Sequence, residues 1–170
     1  MSPTVEVTSA SPDEEALLAN LLELYSHDMS EFLDVTIGAD GRFGYPPLPL
    51  YWREEGRHPF LLKVDGAVAG FALVARGSRA FGDPNVWDMS EFFVLRGYRR
   101  RGIGAAAARE VWRRITGKWD VRVLDANPAL AFWRATAESF APWEWGERDI
   151  VLRGQMWRVL SFDSPVEGGG

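Results

Sequence analysis

Val94-Leu95-Arg96-Gly97-Tyr98-Arg99-Arg100-Arg101-Gly102-Ile103-Gly104-Ala105 joins the end of an apolar strand to a basic, glycine-bearing turn and the start of a helix. The strand is read over residues 86–95, which close on Phe92, Phe93, Val94 and Leu95. The helix is read over residues 102–116, where the run Ala105-Ala106-Ala107-Ala108 favours helix strongly. A helix start leaves backbone N–H groups unpaired and carries the positive end of the helix dipole. Glycines at 102 and 104 would let an anion approach that backbone, and Arg99, Arg100 and Arg101 add charge that can reach a diphosphate. A phosphate-bearing ligand is expected here. The spacing is neither Gly-x-Gly-x-x-Gly, since position 107 is alanine, nor a triphosphate loop, since no Gly-Lys-Ser/Thr follows.

Working outward, residues 5–7 alternate as a short strand, and Ser11-Pro12-Asp13-Glu14 reads as a helix start with a capping serine and early acids. Leu17, Leu18, Leu21, Leu22 and Tyr25 recur at helical spacing to about Ser26, and residues 27–37 are expected to form a second, shorter helix. Residues 38–57 hold Gly38, Gly41 and Gly44, three prolines and the aromatics Phe43, Tyr45, Tyr51 and Trp52, so a long loop is expected. That loop either serves function or pins its aromatics onto the core; the sequence leaves both open. Strands at 59–64 and 67–75 flank the hairpin turn Asp65-Gly66. A strand at 119–124, a helix at 128–140 and a hairpin of 147–153 with 155–162 complete the order. The early hairpin implies antiparallel pairing, and the later strand–helix–strand steps imply parallel pairing. An α/β fold is expected, with a mixed, mostly antiparallel central sheet of about six to seven strands flanked by helices. Residues 1–165 are expected to form a single domain, with 166–170 a disordered tail.

The segment resembles the GNAT superfamily motif Arg/Gln-x-x-Gly-x-Gly/Ala, here Arg99-x-x-Gly102-x-Gly104. The preceding Phe93 to Tyr98 is similar to that family's strand-to-turn segment, although Arg96 stands where proline is commoner. The element order agrees over roughly residues 5–162. The resemblance implies an acyl-CoA N-acyltransferase fold and acetyl-CoA as cosubstrate, with no metal. It further implies that Phe93, Val94 and Leu95 offer backbone groups to the acetyl carbonyl and pantetheine arm. The arm would enter a slot where the strands at 86–95 and 119–124 splay. Backbone amides from Arg100 through Gly102, Ile103 and Gly104 to Ala105 would hold the pyrophosphate, and Asn127 would lie near the pantetheine.

Many family members place a tyrosine in the next helix as general acid. Here Trp133 or Arg134 occupies that place, and an indole does not donate a proton usefully at neutral pH. Glu91 is the expected general base, with Ser90 and Asp88 weaker candidates; in strand alternation Glu91 could equally face solvent or pair with an arginine. The acceptor side is expected from Tyr25, His27, Tyr45 and Tyr51. Asp28 or Glu31 could bind a cationic amine, or Asp28 or Ser30 simply caps the helix. The expected reaction is direct acetyl transfer to a primary amine, small molecule or peptide. A catalytically inactive acyl-CoA-binding regulatory module is the alternative.

Composition bounds this reading. At 170 residues, with 46% hydrophobic and 25% charged residues, the chain has ordinary globular composition. A net charge of -5, with the arginine run confined to one turn, argues against nucleic-acid binding. With no cysteine and only His27 and His58, disulfides, thiolate sites and multi-histidine metal centres are excluded. No apolar run approaches the ~20 residues a bilayer crossing needs, and residues 1–6 lack a signal-peptide pattern, so a cytoplasmic protein is expected. The exposed aromatics and final strands are compatible with a homodimer.

Overall fold

A computed structural model describes residues 2–166 of the chain. Of the expected tail, residues 167–170 lie outside the described residues. Seven strands form one sheet: β1 (Val5–Ser9), β2 (Arg57–Val64), β3 (Ala67–Arg76), β4 (Trp87–Val94), β5 (Gly117–Leu124), β6 (Gly146–Leu152) and β7 (Gln155–Ser164). Three helices accompany it: α1 (Glu15–Met29), α2 (Ile103–Arg114) and α3 (Ala129–Phe140). The strand order is β1-β2-β3-β4-β5-β7-β6. Every neighbouring pair is antiparallel except β4 and β5, which α2 joins in parallel. The expected mixed, mostly antiparallel sheet is present.

Strand alternation divides the apolar residues between two faces. Met89, Ile103, Val111, Trp112, Trp119, Trp133, Leu160 and Phe162 pack under α2 and α3. Leu18, Leu22, Leu48, Tyr51, Leu61, Phe71, Leu73 and Phe93 pack on the other face under α1. α1 starts as the sequence reads: Glu14 accepts from the Ser11 amide at 3.1 Å, a capping box, with Pro12 at the first helical position.

The expected second helix over residues 27–37 does not form. α1 itself continues to Met29, one turn beyond Tyr25 on the same face, and ends in a tight turn through residues 30–33. The following Val35, Thr36 and Ile37 are β-branched, and Val35 and Ile37 are exposed, so no apolar face sustains another helix. The aromatic loop pins its aromatics onto the core. Tyr51 and Leu48 are buried in a short 3-10 turn (Leu48–Trp52), and the Trp52 indole donates to the Ala10 carbonyl at 2.9 Å. Yet the same loop delivers the Tyr45 hydroxyl to the Glu91 carboxylate at 3.1 Å.

Two irregularities set the geometry around β4. β4 and β5 pair only at Trp87–Trp119 and Asp88–Asp120, then separate. On the other edge of β4, Leu73 faces Glu91 but Val74 faces Met89, so Ser90 is an extra residue, a β-bulge. A bulge bends its strand and resets its alternation. Asp88 and Glu91, three apart, consequently share one side: both lie 3.9 Å from Arg79. No helix among the described residues is long and apolar enough to cross a membrane.

Candidate active site

The basic turn is built from alternating backbone conformations. Residues 96–98 form a 3-10 turn, Arg99 is extended, and Arg100 (φ 60°) and Gly102 (φ 75°) are left-handed. Such alternation aims successive amides into a concavity that favours anions. Among the described residues, the backbone N–H groups of residues 100–105 donate no hydrogen bond; the first to do so is that of Ala106, to Gly102. The left-handed backbone is why position 102 takes glycine. Gly104 is small for another reason: a Cβ there would stand 3.2 Å from the Phe132 ring, which packs over the first turn of α2.

The three arginines divide. Arg99 donates to the Val94 carbonyl (2.7 Å) and to Asp28 of α1 (2.6 Å), and Arg96 donates to the other Asp28 oxygen (2.6 Å). Burial opposes charge on Asp28, but the Arg99 and Arg96 hydrogen bonds outweigh it and hold its carboxyl below the ordinary value. Asp28 therefore neither caps α1 nor waits for an amine; it clamps the turn to the helix. Arg99 is engaged in that clamp, whereas Arg100 and Arg101 are exposed, Arg101 lying over the Tyr98 ring. Asp28→Ala should lower stability by about 1–2 kcal/mol, given charge-assisted hydrogen bonds weakened by exposure. Urea unfolding would measure it, and a loss below about 0.3 kcal/mol, within the usual surface-substitution range, would exclude the clamp.

A cleft of about 620 Å³ opens where β4 and β5 diverge, lined by Tyr25, Glu91, Phe92, Arg122, Asn127 and Trp133 among others. The Leu95 amide is bound to the Ala69 carbonyl in the sheet, as is every second residue along β4. By alternation the Phe92 and Val94 amides turn away from β3, to the side where β5 diverges; of these two residues Phe92 lines the cleft, and none of the expected trio Phe93, Val94 and Leu95 does. Asn127 lines the cleft, but its Oδ1 accepts from the Ala129 amide at 2.9 Å and starts α3, leaving the side-chain NH2 directed elsewhere.

Glu91 lies in this cleft with its side chain 15% exposed. Burial pushes its carboxyl above 4.5, while Tyr25, Arg79 and Tyr45 pull the other way and only partly offset it. Burial and the Glu91 charge also push the Tyr25 phenol well above 10 and the Tyr45 phenol up. Tyr25 lines the cleft and Tyr45 reaches it through Glu91. The other two acceptor-side candidates are elsewhere. His27 is exposed on α1 outside the cleft lining, and Tyr51 is a core residue, 3% exposed, beneath Arg57. Trp133 is buried edge-on against Phe92, ring centroids 5.0 Å apart, and Arg134 forks onto Glu147 at 2.6 and 2.8 Å. Neither supplies an acid. Arg79, Arg122, Arg153 and Gln155 also line the cleft, and sequence reading missed them. Only the alternating polar position of Arg122 carried a signal. Among the described residues, no group of three His, Cys, Asp or Glu could hold a metal.

The acetyltransferase (GNAT) family model matches residues 19–136, from early α1 through most of α3, and the chain belongs to that family. No curated protein matches it in sequence. Among solved structures, an acetyltransferase from Thermus thermophilus superposes with a TM-score of 0.67 at 16% identity, covering 94% of this chain and 97% of its own. A putative acetyltransferase from Salmonella typhimurium, solved with its cofactor acetyl-CoA, gives 0.64 at 13% identity, over 98% and 96%. The aminoglycoside acetyltransferase AAC(6')-Ib in complex with coenzyme A gives 0.67 at 14%, over 94% and 95%. At such identities the likeness is one of fold.

Proposed function

We propose that this chain transfers acetyl from acetyl-CoA to a primary amine by direct attack, with Glu91 as the general base. The observation that supports the reading is the surroundings of β4: a slot opens between it and β5 with a sequestered carboxylate within, and unpaired amides at 100–105 follow its end. These residues fit the cosubstrate. The left-handed Arg100 and Gly102 would cup a diphosphate, the exposed Arg100 and Arg101 would supply charge to neutralise it, and the slot would take an extended arm.

Acetyl-CoA supplies an acyl group already activated as a thioester. Glu91 accepts a proton from the ammonium form of the acceptor, so that the nitrogen lone pair can attack. The Val94 amide, turned away from β3, would stabilise charge developing on the carbonyl oxygen. As the C–N bond forms and the nitrogen gives up its second proton to solvent, the C–S bond breaks and the thiolate departs. Tyr25 and Tyr45 stay protonated and orient Glu91, because burial and that carboxylate disfavour the phenolates. With no acid on α3, the thiolate takes its proton from solvent, and positioning carries the rate.

Thiol release from acetyl-CoA with a panel of amines is the test. Amine-dependent release, with acetyl recovered on nitrogen, is the expected outcome. Binding of CoA without turnover of any amine would instead favour the regulatory module.

A further inference from the structure

The cleft's charge is opposite in sign to that of the chain. The protein carries a net charge of -5, yet the charged residues lining the cleft are Arg79, Arg122 and Arg153 against Glu91 alone. The wholly buried Asp88 offsets one of the three arginines. It accepts from Ser90 at 2.7 Å and from Arg122 at 3.3 Å, so that Arg122 and Asp88 satisfy each other.

Among the described residues, neither Arg79 nor Arg153 donates a hydrogen bond to a carboxylate. The Arg79 guanidinium stands 3.9 Å from both Asp88 and Glu91, beyond hydrogen-bond length, with its side chain 38% exposed. Arg153 lies at the β6–β7 turn, where the hairpin acids Glu147 and Asp149 are already taken by Arg134 and Arg158. Its backbone is left-handed, φ 50°, a conformation costly for a side chain of this size. Two guanidinium groups thus border the cleft with donors to spare, and a planar fork of donors matches a carboxylate.

The spacing narrows the ligand. Arg79 Nη1 and Glu91 Oε1 are 3.9 Å apart, so one ligand can place an anion on the first and a cation on the second only if those groups sit close together on it. An α-amino acid zwitterion has them on one carbon. A polycation would find Glu91 alone to bind it and be opposed by Arg79 and Arg153. We infer that the acceptor is an α-amino acid, its carboxylate held by Arg79 with Arg153 at the rim, and its ammonium turned to Glu91. This rests on the acetyl-transfer reading and extends it to the acceptor's chemistry.

The test compares an α-amino acid such as leucine with its decarboxylated amine, its amide and spermidine, in wild type, Arg79→Gln and Arg79→Lys. Leucine should exceed the decarboxylated amine by about a hundredfold in kcat/KM, since a site built for a polar group discriminates strongly against its absence. Arg79→Gln should raise the KM for leucine about tenfold or more and erase the preference, with Arg79→Lys keeping part of it. Spermidine or the decarboxylated amine reacting as well as leucine would overturn the inference, as would undiminished discrimination in Arg79→Gln. Calorimetry of leucine with CoA present separates the two readings. Arg79-dependent binding without turnover supports the ligand class and sinks the transfer reading. Acetylation of another amine without leucine binding does the reverse, and absence of both overturns both.

Discussion

Glu91→Gln should lower kcat/KM by about 10²- to 10⁴-fold, the range for a positioned proton acceptor. The mild change in shape makes the test sharp: glutamine keeps the volume and can still accept from the Tyr45 hydroxyl, but cannot take a proton. The pH profile adds a second reading. A base must be ionised, so wild-type kcat/KM should rise with pH through an apparent pKa displaced above 4.5, because burial disfavours the carboxylate. Glu91→Gln should lose that acid limb. Stability runs the other way. A carboxyl raised in the folded state binds its proton more tightly there than in the unfolded chain. Its contribution is therefore fully present below 4.5 and lost as pH rises through the raised folded value. Thermal unfolding at pH 7 should accordingly find Glu91→Gln at least as stable as wild type. Activity within about threefold of wild type, far below the usual worth of a general base, would rule the role out.

Gly70→Ala should be the most damaging of conservative changes. A Cβ at position 70 would stand 1.9 Å from the Phe93 carbonyl oxygen, 3.0 Å from its carbon and 3.1 Å from the Val94 Cα. All three are backbone atoms and none can rotate away. Gly70 pairs with Val94 and lies beside the irregularity where β2 and β3 shift register. Glycine in a strand commonly marks such a close approach. Overpacking costs about 1–3 kcal/mol where side chains can yield, and backbone cannot, so a loss of about 3 kcal/mol or more is expected. Calorimetry should show a fall in Tm of roughly 6–12 °C for a chain of this length. Because β4 must move away from β3, the Val94 amide shifts too, and CoA affinity should fall with stability. An unchanged Tm would refute the close approach of β3 and β4.

Most of the fold was legible because its signals are local. The Asp65-Gly66 turn, the Ser11-Pro12 start and the alternating strands each depend on neighbours a few residues away. The missing helix at 27–37 marks where local reading stops: its apolar residues had no face to bury, and only α1 packing against the sheet shows that Met29 is the last useful turn. The site divides in the same way. Arg100, Arg101 and Gly102 lie within one stretch of chain, and their proximity is guaranteed by sequence. Arg79, Arg122 and Arg153 are brought to one cleft from a loop, a strand and a hairpin turn, and no short pattern announces that meeting.

The segment 94–105 by itself determined the strand, the turn, the helix start and the unpaired state of its amides, since backbone geometry and charge at a helix N-terminus are local properties. Tertiary structure decided how its side chains are used. Arg99 went to Asp28 across 71 positions, and Gly104 is small for the ring of Phe132. It also decided Glu91. Unbroken alternation would put Glu91 and Asp88 on opposite faces; the bulge at Ser90, created by β4's register against β3, turns both toward Arg79. Register is set by pairing with another strand, and no strand carries that information alone.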